Sequence, residues 1–354
     1  MTCALSASFG QITVTEADFP TEGDTVLVSS SFDTNLDIVT TGASSIWDFS
    51  AINIDAQRID TFHDVSQAEA LYQLVFNNGF TNPDYESDYY TPWNNIDFSQ
   101  AEQLGLFISE PVAFTKISSS KVEITGIGIK ANGISIPASS DTIDLQFELP
   151  MTFNNAWTSD SYTELDLNPA FNGMFHRYSQ RDAVVDGWGQ ITTPFKTYDA
   201  IRVKSIIDSQ DSVYIDIGGF GGTWLELPVP QQIEYKWFAN GEKIPVMTII
   251  TQDIGGETIT TVEFKDRSRD FASIQSSELE GFEVFPNPTS NELNISLSEQ
   301  VISLSLIDIS GKLIWLDNKP DVNKPIQLDG LNNGVYILKA ETAKGVLQKR
   351  IVKK

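Results

Sequence analysis

The residues able to do chemistry are few in kind and scattered along the chain. The two histidines, His63 and His176, stand far apart. A catalytic zinc needs about three nitrogen or carboxylate ligands, often with histidines paired at short spacing, so structural roles are expected for both. Cys3 is the single cysteine, which leaves no intramolecular disulfide and no nucleophilic thiol beyond the extreme N-terminus. No Gly-x-Ser-x-Gly elbow occurs, which disfavours the common serine hydrolases. Gly126, Gly128 and Ala131 have the spacing of a dinucleotide fingerprint. They sit within a strand-like alternation with no helix to follow, so the phosphate cradle is missing. The run Gly218–Trp224 reads as a tight loop that could flank a binding cleft. Asp and Glu number 48, too many for any pair to stand out as glycosidase carboxylates. Asp84, Glu86 and Asp88 occupy alternate positions. In an extended chain they would share one face and offer Ca²⁺ its preferred oxygen ligands. This is the one cofactor expectation, weighed against a solvated acidic loop. Tyr89 and Asn95 stand where an EF-hand has its Gly and Glu. Tyr89, Tyr90 and Trp93 follow directly, and aromatics on a loop could stack on sugar rings.

These residues are carried mostly by strands. Short alternating runs rich in β-branched and aromatic residues recur from Gln11 to Asp266, separated by Gly, Asn, Asp or Pro. Asn240-Gly241 is a candidate type I′ hairpin turn. Gly187-Trp188-Gly189 reads as a turn leading to a hairpin around Pro194–Tyr198, and Trp47 and Phe49 alternate inward around Asp48. Helical signals are weak: Ser66–Phe76, with Ser66 as cap and Glu69 completing a capping box, and a second short candidate near Ser99. The fold class is all-β, an antiparallel sandwich or barrel-like region.

A chain of 354 residues exceeds one ordinary core. Its net charge of −25 repels nucleic acid and anionic lipid, and it holds no apolar run long enough to span a membrane as a helix. The charge is uneven: nine basic and eight acidic residues from Gly281 onward, against fourteen and forty before it. The expected divisions are a signal-peptide remnant at 1–10, a β-rich region at 11–265 with a break near 140–150, a polar linker at 266–280, and a C-terminal domain at 281–354. The small and apolar start, with Ala7-Ser8-Phe9-Gly10 before Gln11, has the look of a cleavage site without a basic leader.

The last 74 residues alternate cleanly after Pro286-Asn287-Pro288-Thr289, whose prolines mark entry into a sheet rather than its middle. Leu293 and Ile295 follow, then Asp308-Ile309-Ser310-Gly311-Lys312, then Leu331-Asn332-Asn333-Gly334-Val335-Tyr336, and a basic end from Lys349 to Lys354. Four such stretches in this order resemble the type A C-terminal sorting domain carried by cargo of the type IX secretion system of Bacteroidota. The resemblance covers about a fifth of the chain. It implies a small Ig-like sandwich in which Pro286, Asn287, Pro288, Asp308, Gly311, Lys312, Gly334, Tyr336 and Lys349 form the sorting motif. It further implies the translocon and a sortase-type peptidase as partners, and release or attachment to surface lipopolysaccharide. The region before it resembles only uncharacterised secreted proteins of the same bacteria. A secreted or surface protein of non-enzymatic, adhesion-like role is the leading expectation. An extracellular carbohydrate-binding or carbohydrate-active protein is the alternative.

Overall fold

The computed structural model describes residues 10–93, 106–215, 221–252, 258–267, 282–297, 301–308, 313–317, 320–322, 324–342 and 345–354. The chain divides into two compact units, a body at Met1–Ser268 and a tail at Arg269–Lys354. Both are built of strands. The expected signal-peptide remnant, the second helix candidate as far as Gly105 and nearly all of the expected linker lie outside the described residues.

The body strands are β1 (Thr25–Ser31), β2 (Gly42–Asp48), β3 (Ala56–Thr61), β4 (Tyr89–Pro92), β5 (Ile108–Ile117), β6 (Lys121–Ala131), β7 (Ile134–Glu148), β8 (Ala156–Asp166), β9 (Gly173–Thr192), β10 (Thr197–Ile215), β11 (Thr223–Leu227), β12 (Gln232–Phe238), β13 (Met247–Gln252) and β14 (Ile259–Asp266). They form one sheet in the order β3-β1-β14-β13-β12-β10-β9-β8-β7-β6-β5-β4, with β11 beside β10 and β2 beside β9. The two ends of that order meet where His63 and Tyr90 exchange main-chain hydrogen bonds of 2.9 and 3.0 Å. The sheet is thus a nearly closed, strongly curled barrel.

The two long central strands explain the layout. The outer edge of β9 is shared: β8 takes residues 174–184, and β2, running parallel, takes 187–192. The outer edge of β10 is shared between β12 and β11 in the same way. Gly187-Trp188-Gly189 is therefore strand, not turn. Gly189 is required there, because a Cβ would run into the Ser45 backbone of β2.

Side chains alternate across the pleat, and around β12 both faces are buried. Trp237 and Phe238 are neighbours on β12 and both are buried, on opposite faces. Phe238 faces the hollow, where its ring lies 5.0 Å from Phe147 of β7 although β8, β9 and β10 separate their strands in the sheet. Val14 and Phe19 complete this inner core from the N-terminal segment. Trp237 faces outward against Trp47 and Phe49, so the segment carrying β2 covers a second core on the outside, as the alternation of Trp47 and Phe49 foretold.

Several local expectations change. Gln11–Phe19 is not a strand but a single bridge, Val14 to Met151, and a 3-10 turn at Glu16–Asp18. The contacts divide no subdomain near 140–150: the body is one unit, although the pairing of β7 (Ile134–Glu148) with β6 shifts between Ser139 and Asp144. Asp266 closes β14 rather than opening a linker, with the Ser29 hydroxyl donating to it at 2.7 Å. Asn240-Gly241 lies in a longer loop whose positive φ angles are at Gly241 and Lys243. There the Asn240 amide donates to Thr13 O at 2.7 Å, holding the N-terminal segment in place. Asp64 caps a separate 3-10 turn, Val65–Gln67, by accepting the Ser66 amide, and the α-helix α1 spans only Ala70–Phe76, with Glu69 at its N-cap and no side-chain cap.

The tail strands are β15 (Glu283–Phe285), β16 (Glu292–Ser296), β17 (Val301–Asp308), β18 (Leu313–Asp317), β19 (Ile326–Gln327), β20 (Gly334–Thr342) and β21 (Gly345–Lys353). They form two small sheets, β15-β16-β19 and β18-β17-β20-β21. Leu293, Leu306, Leu338 and Ile351 are fully buried at the centre of their shared core.

Candidate functional site

In the tail, the first motif grips the last strand. The Asn287 side chain donates to Arg350 O at 2.6 Å and accepts the Val352 amide at 2.9 Å. Thr289 continues the ladder: its amide donates to Val352 O and its carbonyl accepts the Lys354 amide, both at 2.9 Å. Pro286 and Pro288 are exposed on either side. Having no N–H, they offer nothing to a ladder and leave the pairing to Asn287 and Thr289. Tyr336, buried, donates its hydroxyl to Asn332 O at 2.8 Å and so fixes the turn before β20, the device of a tyrosine corner. Asp308, Tyr336 and Ile351 stand in one row across β17, β20 and β21, with Gly334 opposite Lys353 and Lys349 opposite Leu338. Lys349 is exposed. The structure thus brings Asn287, Asp308, Gly334, Tyr336 and the basic end together around β20 and β21. Gly311 and Lys312 lie outside the described residues.

Inside the body barrel, Arg181 of β9 is buried between two carboxylates. It reaches Glu234 at 3.2 Å and Asp144 at 3.3 Å, while Lys236 approaches Glu234 at 2.8 Å. Burial alone would raise the Glu234 pKa, but Lys236 and Arg181 overcome it and hold the carboxyl down at about 2. Arg202, equally buried, forks onto Asp186 at 2.8 Å through each of two nitrogens and donates to Ile38 O at 2.8 Å. Trp47, Tyr235 and Trp237 surround it. These charges are fully partnered and tie strands and cover together.

The outer surface of β8–β11 is different. Tyr162, His176, Trp224 and Tyr214 follow one another with ring centroids 5.5, 4.2 and 5.5 Å apart. Tyr178 stands opposite Tyr162, its hydroxyl donating to Asp160 at 3.0 Å. His176 Nε2 lies 2.9 Å from Glu164. Trp224 is 44% exposed and Tyr178 40%. Sequence reading noted His176 as a lone residue and Gly218–Trp224 as a loop. It missed that strand register sets His176 and Trp224 in contact.

The acidic segment is not extended. Asp84 lies in a turn, Asp88 spends one carboxylate oxygen on the Ile117 amide at 2.6 Å, and β4 begins only at Tyr89. No group of three or more His, Cys, Asp or Glu placed to hold a metal ion, Asp84, Glu86 and Asp88 included, occurs among the described residues. Tyr89 and Tyr90 are on a strand, not a loop: Tyr89 is buried against Phe62, and Tyr90 stacks on His63. A cavity of about 390 Å³ lies beside Asp24, Ile59, Lys243 and Lys265. Its lysines already face Asp24 and Glu242.

Residues 283–354 match the family described as the secretion system C-terminal sorting domain. The tail is therefore a type IX sorting domain on an otherwise all-β chain. It implies interaction with the type IX secretion machinery and export to the outer surface or beyond. No curated protein and no solved structure matches the chain. Among the described residues no helix is long and apolar enough to cross a membrane.

Proposed function

We propose that the body is the exported cargo and serves outside the cell as a surface or adhesion-type binding module rather than an enzyme. The sorting domain delivers it to the translocon, and a sortase-type peptidase then releases it or joins it to surface lipopolysaccharide. The observation that carries this reading is the tail itself: a separate compact unit that matches the sorting family over nearly all of its described residues. A second reading, an extracellular carbohydrate-binding or carbohydrate-active body, is favoured by the aromatic outer face of β8–β11. The first reading has a direct test in a host that carries the type IX system. Residues 282–354 fused to a periplasmic reporter should carry it into the medium or onto the surface. The chain lacking those residues should stay in the periplasm. A reporter that remains periplasmic, or a truncated chain delivered normally, overturns the assignment.

A further inference from the structure

Most tryptophans of the body serve its cores. Trp47, Trp157 and Trp237 are at most 4% exposed and Trp188 packs against the inner core, whereas Trp224 is 44% exposed on β11. Its ring is also flanked by neighbours. His176 packs against its ring at 4.2 Å, and Tyr214 flanks it while accepting the Gly222 amide at 2.9 Å. Tyr178 is fixed by Asp160. These rings stand on paired strands, so little freedom is left to lose when something stacks on them. The stripe crosses from β8 to β11, three strand gaps of about 4.8 Å, or roughly 14 Å in length.

Charge selects the occupant. The outward positions of these strands hold Asp160, Glu164, Asp166, Asp208 and Glu226, and among the described residues between those rows no Lys or Arg points the same way. Carboxylates in that number accept hydrogen bonds from hydroxyl groups and repel phosphate, sulfate and uronate. Two half-exposed rings, Trp224 and Tyr178, beside the partly buried and mutually tilted Tyr162, His176 and Tyr214, all bordered by acceptors, suit a ligand with apolar C–H faces and hydroxylated edges.

We propose that the outer face of β8–β11 is a binding platform for a neutral polysaccharide, with Trp224, Tyr178 and Tyr162 as stacking surfaces and Glu164 and Glu226 as hydroxyl acceptors. This deepens the carbohydrate reading of the body and rests on that body reaching the exterior, where such polymers are met. The chain lies across the strands and covers a short run of sugar units. Anionic polymers, lipopolysaccharide phosphates included, are not ligands of this face.

The test is native gel electrophoresis of the full chain in gels cast with soluble β-glucan, xylan, mannan or polygalacturonate. At least one neutral polymer should retard the protein, and polygalacturonate should not. Trp224→Ala should lower the apparent affinity at least tenfold, Tyr178→Ala less, and Trp224→Phe should keep part of it. The melting temperature of all three variants should stay within a degree or two of the parent, because these rings lie outside the body's buried apolar clusters. No retardation by any of the neutral polymers, undiminished retardation of Trp224→Ala, or equal retardation by polygalacturonate overturns the proposal. The measurement uses purified protein, so it fails or succeeds independently of the export experiment.

Discussion

Body and tail are both all-β, yet different forces hold them. The tail is nearly neutral, with nine basic and eight acidic residues from Gly281 on. It closes on its last strand through the Asn287 side chain and the Thr289 main chain, which clasp Arg350–Lys354, and a single apolar core fills the space between its sheets. Among its described residues, the ion pair Lys324–Asp321 is exposed. The body carries thirteen basic and thirty-seven acidic residues and uses several of its few cations as internal fasteners. Arg181 and Arg202 are each under a tenth exposed and each bridges elements distant in sequence. A scarce cation in an acidic chain matters more than its number suggests, because removing it takes a shared charge partner from two carboxylates at once.

The contrast can be broken most forcefully at Arg181. Arg181→Ala should strip Asp144 and Glu234 of their shared partner and destabilise the body by about 3–5 kcal/mol. By calorimetry the body transition should fall by several degrees while the tail transition stays in place. Equal shifts in both would mean that the two units do not unfold separately.

Acid should act next, and on the body first. Glu234 titrates near 2 in the folded chain against an ordinary value of 4.5. A depressed carboxylate contributes stability above its unfolded pKa and loses it as pH falls through the folded one. The body should therefore weaken from about pH 4.5 down to pH 2, by roughly 3 kcal/mol from this group. Glu234→Gln, already weaker at neutral pH, should show a flatter acid limb. A limb as steep as the parent's would place the acid sensitivity elsewhere.

The smallest expected effect sharpens the tail side. Asn287→Ala removes two hydrogen bonds to β21 and should cost about 1–2 kcal/mol of tail stability. The body transition should not move, and surface delivery should fall if the machinery reads the closed clasp. Full delivery with a loosened tail would show that recognition rests on other residues of the domain.

How much of this was legible differs between the units for the same reason. The sorting motif is local chemistry: prolines that cannot join a ladder, a Gly-containing turn, and a Tyr four residues past the carbonyl it bonds. Such features keep their spacing in one dimension, so order along the chain was enough. The β content of the body and the inward Trp47 and Phe49 were legible too, because period-two alternation is a property of the strand itself. What alternation cannot supply is register and curl. Ser66 starts no helix, because Asp64 caps a separate 3-10 turn around it and α1 begins at Ala70. Gly187-Trp188-Gly189 became strand because a parallel neighbour needed room for its backbone. The three alternating carboxylates never formed a face because their segment turns.

The sequence by itself determined an all-β chain, an acidic body, and a tail bound for the type IX route. Each of these depends on composition or on contacts between near neighbours. The tertiary structure alone decided that Arg181 lies between Asp144 and Glu234, and that His176 lies against Trp224. Those meetings join residues tens of positions apart, across strands whose pairing and curvature are fixed by the burial of apolar clusters on both faces of one sheet.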